Sequence, residues 1–340
     1  MEKPIGVGVV GVGNMGIRYL KCFLQMEEVK LIGVSDINEE LLNSVKRQYK
    51  GVNTTTELDE LLDNDELDAV FICVNENFHE VPLKKAMDSN KHILIEKPLA
   101  DNLDVGRRMI EALDGYQKKA SVGHLLRFDP RYSGAFKAIR QGDIGDVVYL
   151  TCKRASVING PRYYKGEASL AFHLSVHDID LFRWFTSSEV ESVSALRKSE
   201  ALKSIGVDDC LLSLLKFRNG VVAQMEHSWI MPTKYPPKLD ARMQIVGTKG
   251  VIDLNLRDQG LSIFSEERAE TINTSYFFER ADGRISGCLI EQLRAFIDSI
   301  RRNQDPLVSA RDGFEAIRVA DALSKAAMTG SIQILTEDRN

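Results

Sequence analysis

A chain of 340 residues, 44% hydrophobic and 27% charged, has the length for about two domains and the composition of an ordinary globular protein. A formal net charge of −5 argues against a nucleic-acid-binding surface, and no apolar run approaches the ~20 residues that would span a bilayer. The five cysteines (Cys22, Cys73, Cys152, Cys210, Cys288) are scattered, with no C-x-x-C, so they read as reduced core thiols and not as disulfides or a zinc site. The chain enters its first strand at once, with no signal-peptide pattern, and the expected location is cytoplasmic.

That first stretch, Ile5 to Gly16, reads I-G-V-G-V-V-G-V-G-N-M-G. The charge-free, β-branched run predicts a strand buried on both faces, and apolar residues at Ile17, Leu20, Phe23 and Leu24 predict a helix after it. Gly11, Gly13 and Gly16 therefore sit at a strand-to-helix turn with G-x-G-x-x-G spacing, where a dinucleotide pyrophosphate meets the amides of a helix start, Asn14 and Met15 included. A second apolar run, Val29 to Val34, ends at Asp36, 25 positions after Gly11. An acid about 20 residues on is expected to bind the adenosine ribose hydroxyls. Asp36 would repel a 2′-phosphate and no Arg follows it directly, which favours NAD over NADP.

Strand and helix signals keep alternating: a helix from an Asn38 cap to Tyr49, a short helix ending at Leu62, an apolar strand Asp68–Val74, a helix His79–Ser89 and a strand His92–Ile95. Val74 and Asn75, where ligands bind at the carboxyl edge of open α/β sheets, are candidate cofactor contacts, as is Glu96. In Glu96-Lys97-Pro98 the lysine stands at a strand's carboxyl end, and the proline holds it away from helical geometry; a cis Lys-Pro bond would sharpen the turn. A solvated surface loop is the competing reading. After a helix Asp101–Tyr116 and a strand Ala120–His124 the alternation stops, which places the domain boundary at 123/124.

Residues 124–340 read as an α+β domain with a large open, mostly antiparallel sheet: strand-like runs lie at 146–156, 190–197, 208–218, 221–228, 241–247 and 250–256. Runs such as Leu211–Phe217 are apolar on both parities, so one face is expected on helices and the other on a partner subunit. Residues 285–301 and 311–328 read as closing helices. Within this half, His173 and His177 share a helical face with Asp180 one turn further on. A histidine beside a substrate alcohol can take or give its proton as hydride moves, while two histidines satisfied within an apolar helix are the competing reading.

Together these stretches resemble the glucose–fructose oxidoreductase / inositol dehydrogenase / rhizopine-catabolism (Gfo/Idh/MocA) family of NAD(P)-dependent oxidoreductases over nearly the whole chain. The resemblance rests on Gly11-Val12-Gly13-Asn14-Met15-Gly16, Glu96-Lys97-Pro98, Gly123-His124, Arg127-Phe128-Asp129-Pro130, His177-Asp178-Ile179-Asp180 and Met328-Thr329-Gly330-Ser331. It implies an α/β Rossmann domain, here 1–123, followed by the sheet domain through which members form dimers or tetramers. It implies that Lys97 contacts the reacting hydroxyl and the nicotinamide ribose, and that His177 is the proton donor or acceptor. The family's usual carboxylate four residues earlier would fall on His173. The usual glycine pair ahead of it is Ala168-Ser169, and the T-P-N after the fourth strand is Val74-Asn75-Glu76.

The expected activity is hydride transfer between nicotinamide and a secondary carbinol of a sugar, sugar nucleotide or cyclitol. Lys97 would stabilise the alkoxide, His177 would pass the proton and His173 would orient it, with Arg127, Arg154, Tyr163, Tyr164 and Asp180 as candidate substrate contacts. A non-catalytic NAD-binding sensor of the same fold is the alternative, because His173 departs from the usual carboxylate.

Overall fold

The computed structural model describes residues 3–163, 169–258, 261–267 and 269–336, apart from the side chain of Tyr163. The chain divides into two units, residues 1–125 with 276–314, and residues 126–275 with 315–340.

The first unit alternates strand and helix: β1 (Ile5–Val10), α1 (Asn14–Phe23), β2 (Val29–Ser35), α2 (Glu39–Gln48), β3 (Thr54–Thr55), α3 (Leu58–Leu62), β4 (Ala69–Ile72), α4 (Glu80–Asp88), β5 (His92–Ile95), α5 (Leu103–Ala112) and β6 (Ala120–Val122). All strand pairs are parallel, in the order β3-β2-β1-β4-β5-β6. The four residues of β4 are fully buried, because helices cover both faces of such a sheet; this is why the strands read as unbroken apolar runs. Asn38 caps α2, its side chain accepting from the amides of Glu40 and Leu41, and Asn102 caps α5 through the amide of Val105. The strand order reverses between β1 and β4, and the crevice outside their carboxyl ends is the usual ligand site of such sheets.

The second unit contains α6 (Pro130–Gln141), β7 (Val147–Val157), α7 (Asn159–Tyr163), a π-helical turn Ala171–Ser175, α8 (Val176–Thr186), β8 (Val190–Lys198), β9 (Cys210–Phe217), β10 (Val222–Met231), β11 (Leu239–Gly247) and β12 (Val251–Asn255). Two short hairpin pairs follow, β13 (Ser262–Phe264) with β14 (Ala269–Thr271) and β15 (Phe278–Glu279) with β16 (Ile285–Ser286), the latter in the first unit. The chain ends with α9 (Cys288–Arg301), α10 (Ala310–Thr329) and β17 (Gln333–Ile334).

The large sheet runs β12-β11-β7-β10-β9-β8-β17, with only β7 and β10 parallel. Strand alternation explains its doubled apolar pattern. Leu211, Leu215 and Phe217 of β9 are buried, while Leu212 and Leu214 on the opposite parity are exposed, as are Tyr149, Val222 and Val251 on neighbouring strands. The π-turn and α8 pack against β10 and β7.

The division expected at 123/124 lies beside the observed crossing at 125/126, but one cut does not describe the chain, because residues 276–314 return to the first unit. Helix α9 carries the return. Its stripe of Leu289, Leu293, Phe296 and Ile297 is buried, with Phe296 edge-on to Phe71 of β4 at 5.7 Å. Each such burial contributes roughly 1.5–3 kcal/mol. Among the described residues no helix is long and apolar enough to cross a membrane.

Candidate active site

The glycine turn follows β1 and opens α1. Gly11 has φ +88°, and a Cβ there would meet Val74 at 2.8 Å. A Cβ on Gly16 would lie 1.9 Å from the Gly11 carbonyl, so only glycine lets α1 pack against the turn. Beside Gly13 there is open space within 4 Å. No side chain caps α1 and no acid occupies its first turn, which leaves the amides at Asn14 and Met15 suited to an anion. The Met15 side chain turns elsewhere: its sulfur lies 3.5 Å from an Arg18 nitrogen and 3.1 Å from the Tyr276 hydroxyl. Asp36 follows β2, half-buried, and accepts from the amides of Val12 (2.7 Å) and Asn38 (2.9 Å), tying the acid to the glycine turn. An open glycine turn, an uncapped helix start and a carboxylate beside them fit a dinucleotide with free ribose hydroxyls.

Lys97 follows β5 at its carboxyl end and is half-buried, and the Lys97–Pro98 bond is cis. Glu96, expected at the cofactor, is buried and its carboxylate is engaged internally. It accepts from the Tyr19 hydroxyl and from the Lys97 amide (3.1 Å), and Tyr19 accepts in turn from Gln292 Nε2 (3.0 Å). Burial pushes the Glu96 carboxyl upward against the pull of Tyr19 and Lys97. Asn75 is exposed and Val74 half-buried at the end of β4. The His79 ring, 1% exposed, lies between two carbonyls, Leu99 on Nδ1 and Val74 on Nε2, each at 3.1 Å.

In the second unit, every residue from Leu170 to Arg183 is buried except His173 and His177, which are half-exposed. The expected helical face exists, but its first part is a π-turn, a form frequent at functional sites. Behind the histidines lies a buried polar network. Arg154 donates to both oxygens of Asp178 (2.7 and 2.8 Å) and to the Tyr132 hydroxyl (3.2 Å). His227 Nε2 pairs with Asp178 at 2.9 Å and its Nδ1 with Ser175 at 3.0 Å. Burial alone would raise the Asp178 carboxyl, but Arg154 and His227 outweigh it and hold it well below the usual carboxylate range. Cys152, Asp178 and His227 offer ligand atoms within 4.8 Å of one another, yet the Arg154 guanidinium already covers that carboxylate.

Three expected substrate contacts thus carry buried ion pairs. Arg127 pairs with Asp180, both buried, and stacks over Trp184 at 5.5 Å, while Arg154 pairs with Asp178. Tyr164 lies outside the described residues; the backbone of Tyr163 ends α7 and its side chain is not described. His79, Tyr19, Gln292, Ser175 and His227 did not emerge from sequence reasoning. One signal was available: Arg154 and His227 share the core-facing parity of their strands with Leu150 and Cys152, and with Ala223 and Met225. A charged or polar group on that parity needs a buried partner.

Residues 5–124 match the NAD-binding Rossmann fold of an oxidoreductase family, and residues 137–334 match the C-terminal alpha/beta domain of the same family, GFO_IDH_MocA. Among similar proteins, an uncharacterized oxidoreductase of Bacillus subtilis is 26% identical over 97% of this chain and 96% of its own. A myo-inositol 2-dehydrogenase of Thermotoga maritima is 27% identical over 94% and 95%. The structure of scyllo-inositol dehydrogenase from Lactobacillus casei with bound NAD(H) and scyllo-inositol superposes with a TM-score of 0.82, covering 98% of this chain and 99% of that one at 22% identity, a likeness of fold. The family matches cover both the glycine turn with the Lys97 strand end and the sheet domain that carries His177, so the protein belongs to the Gfo/Idh/MocA oxidoreductases and has their NAD-binding Rossmann domain.

Proposed function

We propose that this protein is an NAD-dependent dehydrogenase that oxidises a secondary alcohol of a cyclitol or related sugar to the ketone, or runs the reverse. The observation that carries the reading is the position of Lys97, at the carboxyl end of β5 in the same unit as the glycine turn. Bound NAD supplies the hydride acceptor, C4 of its nicotinamide. The carbinol C–H leaves as hydride, the hydroxyl proton passes to the His177 imidazole, and the products are ketone, NADH and a proton. The Lys97 ammonium stabilises the alkoxide that develops. His173 orients the proton-carrying ring or the polyol. The cyclitol class is supported by relatives named as inositol dehydrogenases, and NAD over NADP by the Asp36 carboxylate at the ribose position.

The second unit's exposed apolar strand face suggests a homodimer or homotetramer built through it. Leu214 is 60% exposed, and Ile334 on the edge strand 66%. Cys22, Cys73, Cys152 and Cys210 are free thiols, in keeping with a reducing, cytoplasmic setting.

The test is absorbance at 340 nm with NAD and NADP against a panel of inositol isomers, hexoses and sugar nucleotides, beside NADH titration by fluorescence. Turnover of a cyclitol with NAD, lost in Lys97→Ala while NADH still binds, is the expected result. NADH binding with no turnover on any member, and no effect of Lys97→Ala, would favour the sensor reading.

A further inference from the structure

Lys97 stands on a loop, and a loop does not by itself hold an ammonium to the tolerance that hydride transfer demands. The residue before it is fixed: Glu96 is buried and tied to α1 and α9 through Tyr19 and Gln292. The residues after it are buried, and one side chain also reaches their backbone. His79 sits at the start of α4, its backbone already helical and its carbonyl accepting from the Leu83 amide. From there its ring reaches the Leu99 carbonyl, two residues beyond Lys97, with one nitrogen and the Val74 carbonyl at the end of β4 with the other. At 1% exposure water does not take over either contact. A phenyl or aliphatic side chain of that size would offer neither carbonyl a donor, and a buried acceptor left unpaired is unfavourable.

We propose that His79 is a positioning residue that holds the Lys97 loop against the start of α4, beside the end of β4, so that the lysine keeps one fixed geometry next to the Val74–Asn75 turn. The ring works through Lys97 and has no substrate contact of its own. Burial lowers the proton affinity of the ring and the two carbonyls raise it, the burial effect being the larger. Burial favours the neutral ring, which has a single N–H; with that proton on Nδ1 the ring donates to the Leu99 carbonyl, and Nε2 lies 3.1 Å from the Val74 carbonyl without a hydrogen bond.

The proposal rests on the proposed dehydrogenase reading only where turnover is measured, so its main test needs no substrate. The amine of Lys97 is acylated with a water-soluble N-hydroxysuccinimide ester in wild type, His79→Phe and His79→Gln, and the modified peptide is followed by mass spectrometry with Lys30 and Lys46 as internal references. In His79→Phe the Lys97 rate is expected to change by about fivefold or more while the references hold, and His79→Gln, which keeps an amide donor, is expected to recover much of the difference. Unchanged Lys97 labelling in folded His79→Phe, or a His79→Gln no nearer wild type than His79→Phe, overturns the proposal.

With an active substrate in hand, His79→Phe is expected to lower kcat about 10- to 100-fold with NADH affinity within about threefold of wild type. A kcat within about twofold of wild type overturns it as well. Should the variants not fold, two-bond proton–nitrogen NMR of the wild-type ring decides: a slowly exchanging ring N–H supports the clamp, and a ring proton in fast exchange with water overturns it. A wild type inactive on the whole panel removes the dehydrogenase reading and leaves the labelling result standing.

Discussion

Lys97 and the pair His173 and His177 are the reactive groups of the proposed chemistry, and their surroundings hold them by opposite means. Around Lys97 the fastenings are mostly neutral: a phenol, an amide, an imidazole and backbone carbonyls, with Glu96 the one buried acid. Around the histidines they are charged: Arg154 with Asp178 and Arg127 with Asp180, all buried within one stretch of structure. A neutral network weakens by one modest bond at a time. A buried ion pair stays in balance only while both partners are present, and breaking it leaves a charge with no solvent to receive it.

The largest expected effect tests that difference directly. Asp178→Ala leaves Arg154 buried and uncompensated and should destabilise the second unit by about 3–5 kcal/mol, measured by urea unfolding. The double variant Asp178→Leu with Arg154→Met should recover most of the loss, because a buried pair replaced by apolar groups of similar volume is often close to neutral. If the double variant is as unstable as Asp178→Ala, the charge argument fails and the loss reflects the hydrogen bonds to Tyr132 and His227.

Gly16→Ala comes next. The new Cβ would sit 1.9 Å from the Gly11 carbonyl, a backbone atom with no rotamer to escape through, so α1 must move off the turn. A loss of about 1–3 kcal/mol is expected, with NADH binding by fluorescence titration weakened by a larger factor than the melting temperature alone would suggest. Tyr19→Phe is smaller. It removes one neutral donor from Glu96 and the acceptor for Gln292, about 1–2 kcal/mol by thermal unfolding, and it should raise the Glu96 carboxyl further because the Tyr19 hydrogen bond now pulls it down.

How much of this was legible in the sequence follows from the range of each signal. The Rossmann half was readable because a buried parallel strand has no polar alternation, and because Gly11 and Gly16 meet constraints only glycine satisfies. The doubled apolar pattern of Leu211–Phe217 was read as one face on helices and the other on a partner subunit; the strand has one buried and one exposed apolar face, and the partner remains part of the proposal. The return of 276–314 to the first unit was not readable, since the stripe of α9 would suit any apolar surface and local periodicity does not say which one. Arg127 and Arg154 were read as ligand holders because an arginine in a motif-rich stretch looks the same whether its partner is a substrate or an aspartate; strand parity, not motif, separates the two for Arg154. His79 was invisible for a similar reason: its partners are backbone carbonyls, which carry no letter of their own.

The smallest prediction sharpens the comparison through acid. His92, at the start of β5, is half-buried, accepts from the Lys119 amide on Nδ1, and is pushed down to about 4 from 6.5 by burial and then by nearby Lys118. The unfolded chain therefore takes up that proton near 6.5 while the folded chain resists until about 4, so stability falls as pH drops through this window and rises again with pH. The full linkage would be about 3 kcal/mol, and solvent screening of a ring this exposed reduces it to about 1 kcal/mol. Asp178 behaves differently: its carboxyl is held below the usual value of 3.8, so its contribution is intact above 3.8 and is lost only as pH falls below that toward the folded value. Between pH 6.5 and 4.5 the His92 end of β5 should soften while the charged region holds, the raised Glu96 carboxyl beyond the other end of β5 acting in the opposite sense. Hydrogen exchange should show it: amides of β5 and β6 should exchange faster at pH 4.5 than at pH 7 after correction for intrinsic rates, and those of β7 and β10 should not. His92→Gln should flatten the pH dependence in β5, and if it leaves the acid softening intact, another group is responsible, with His79, whose pKa burial also lowers, the first to substitute.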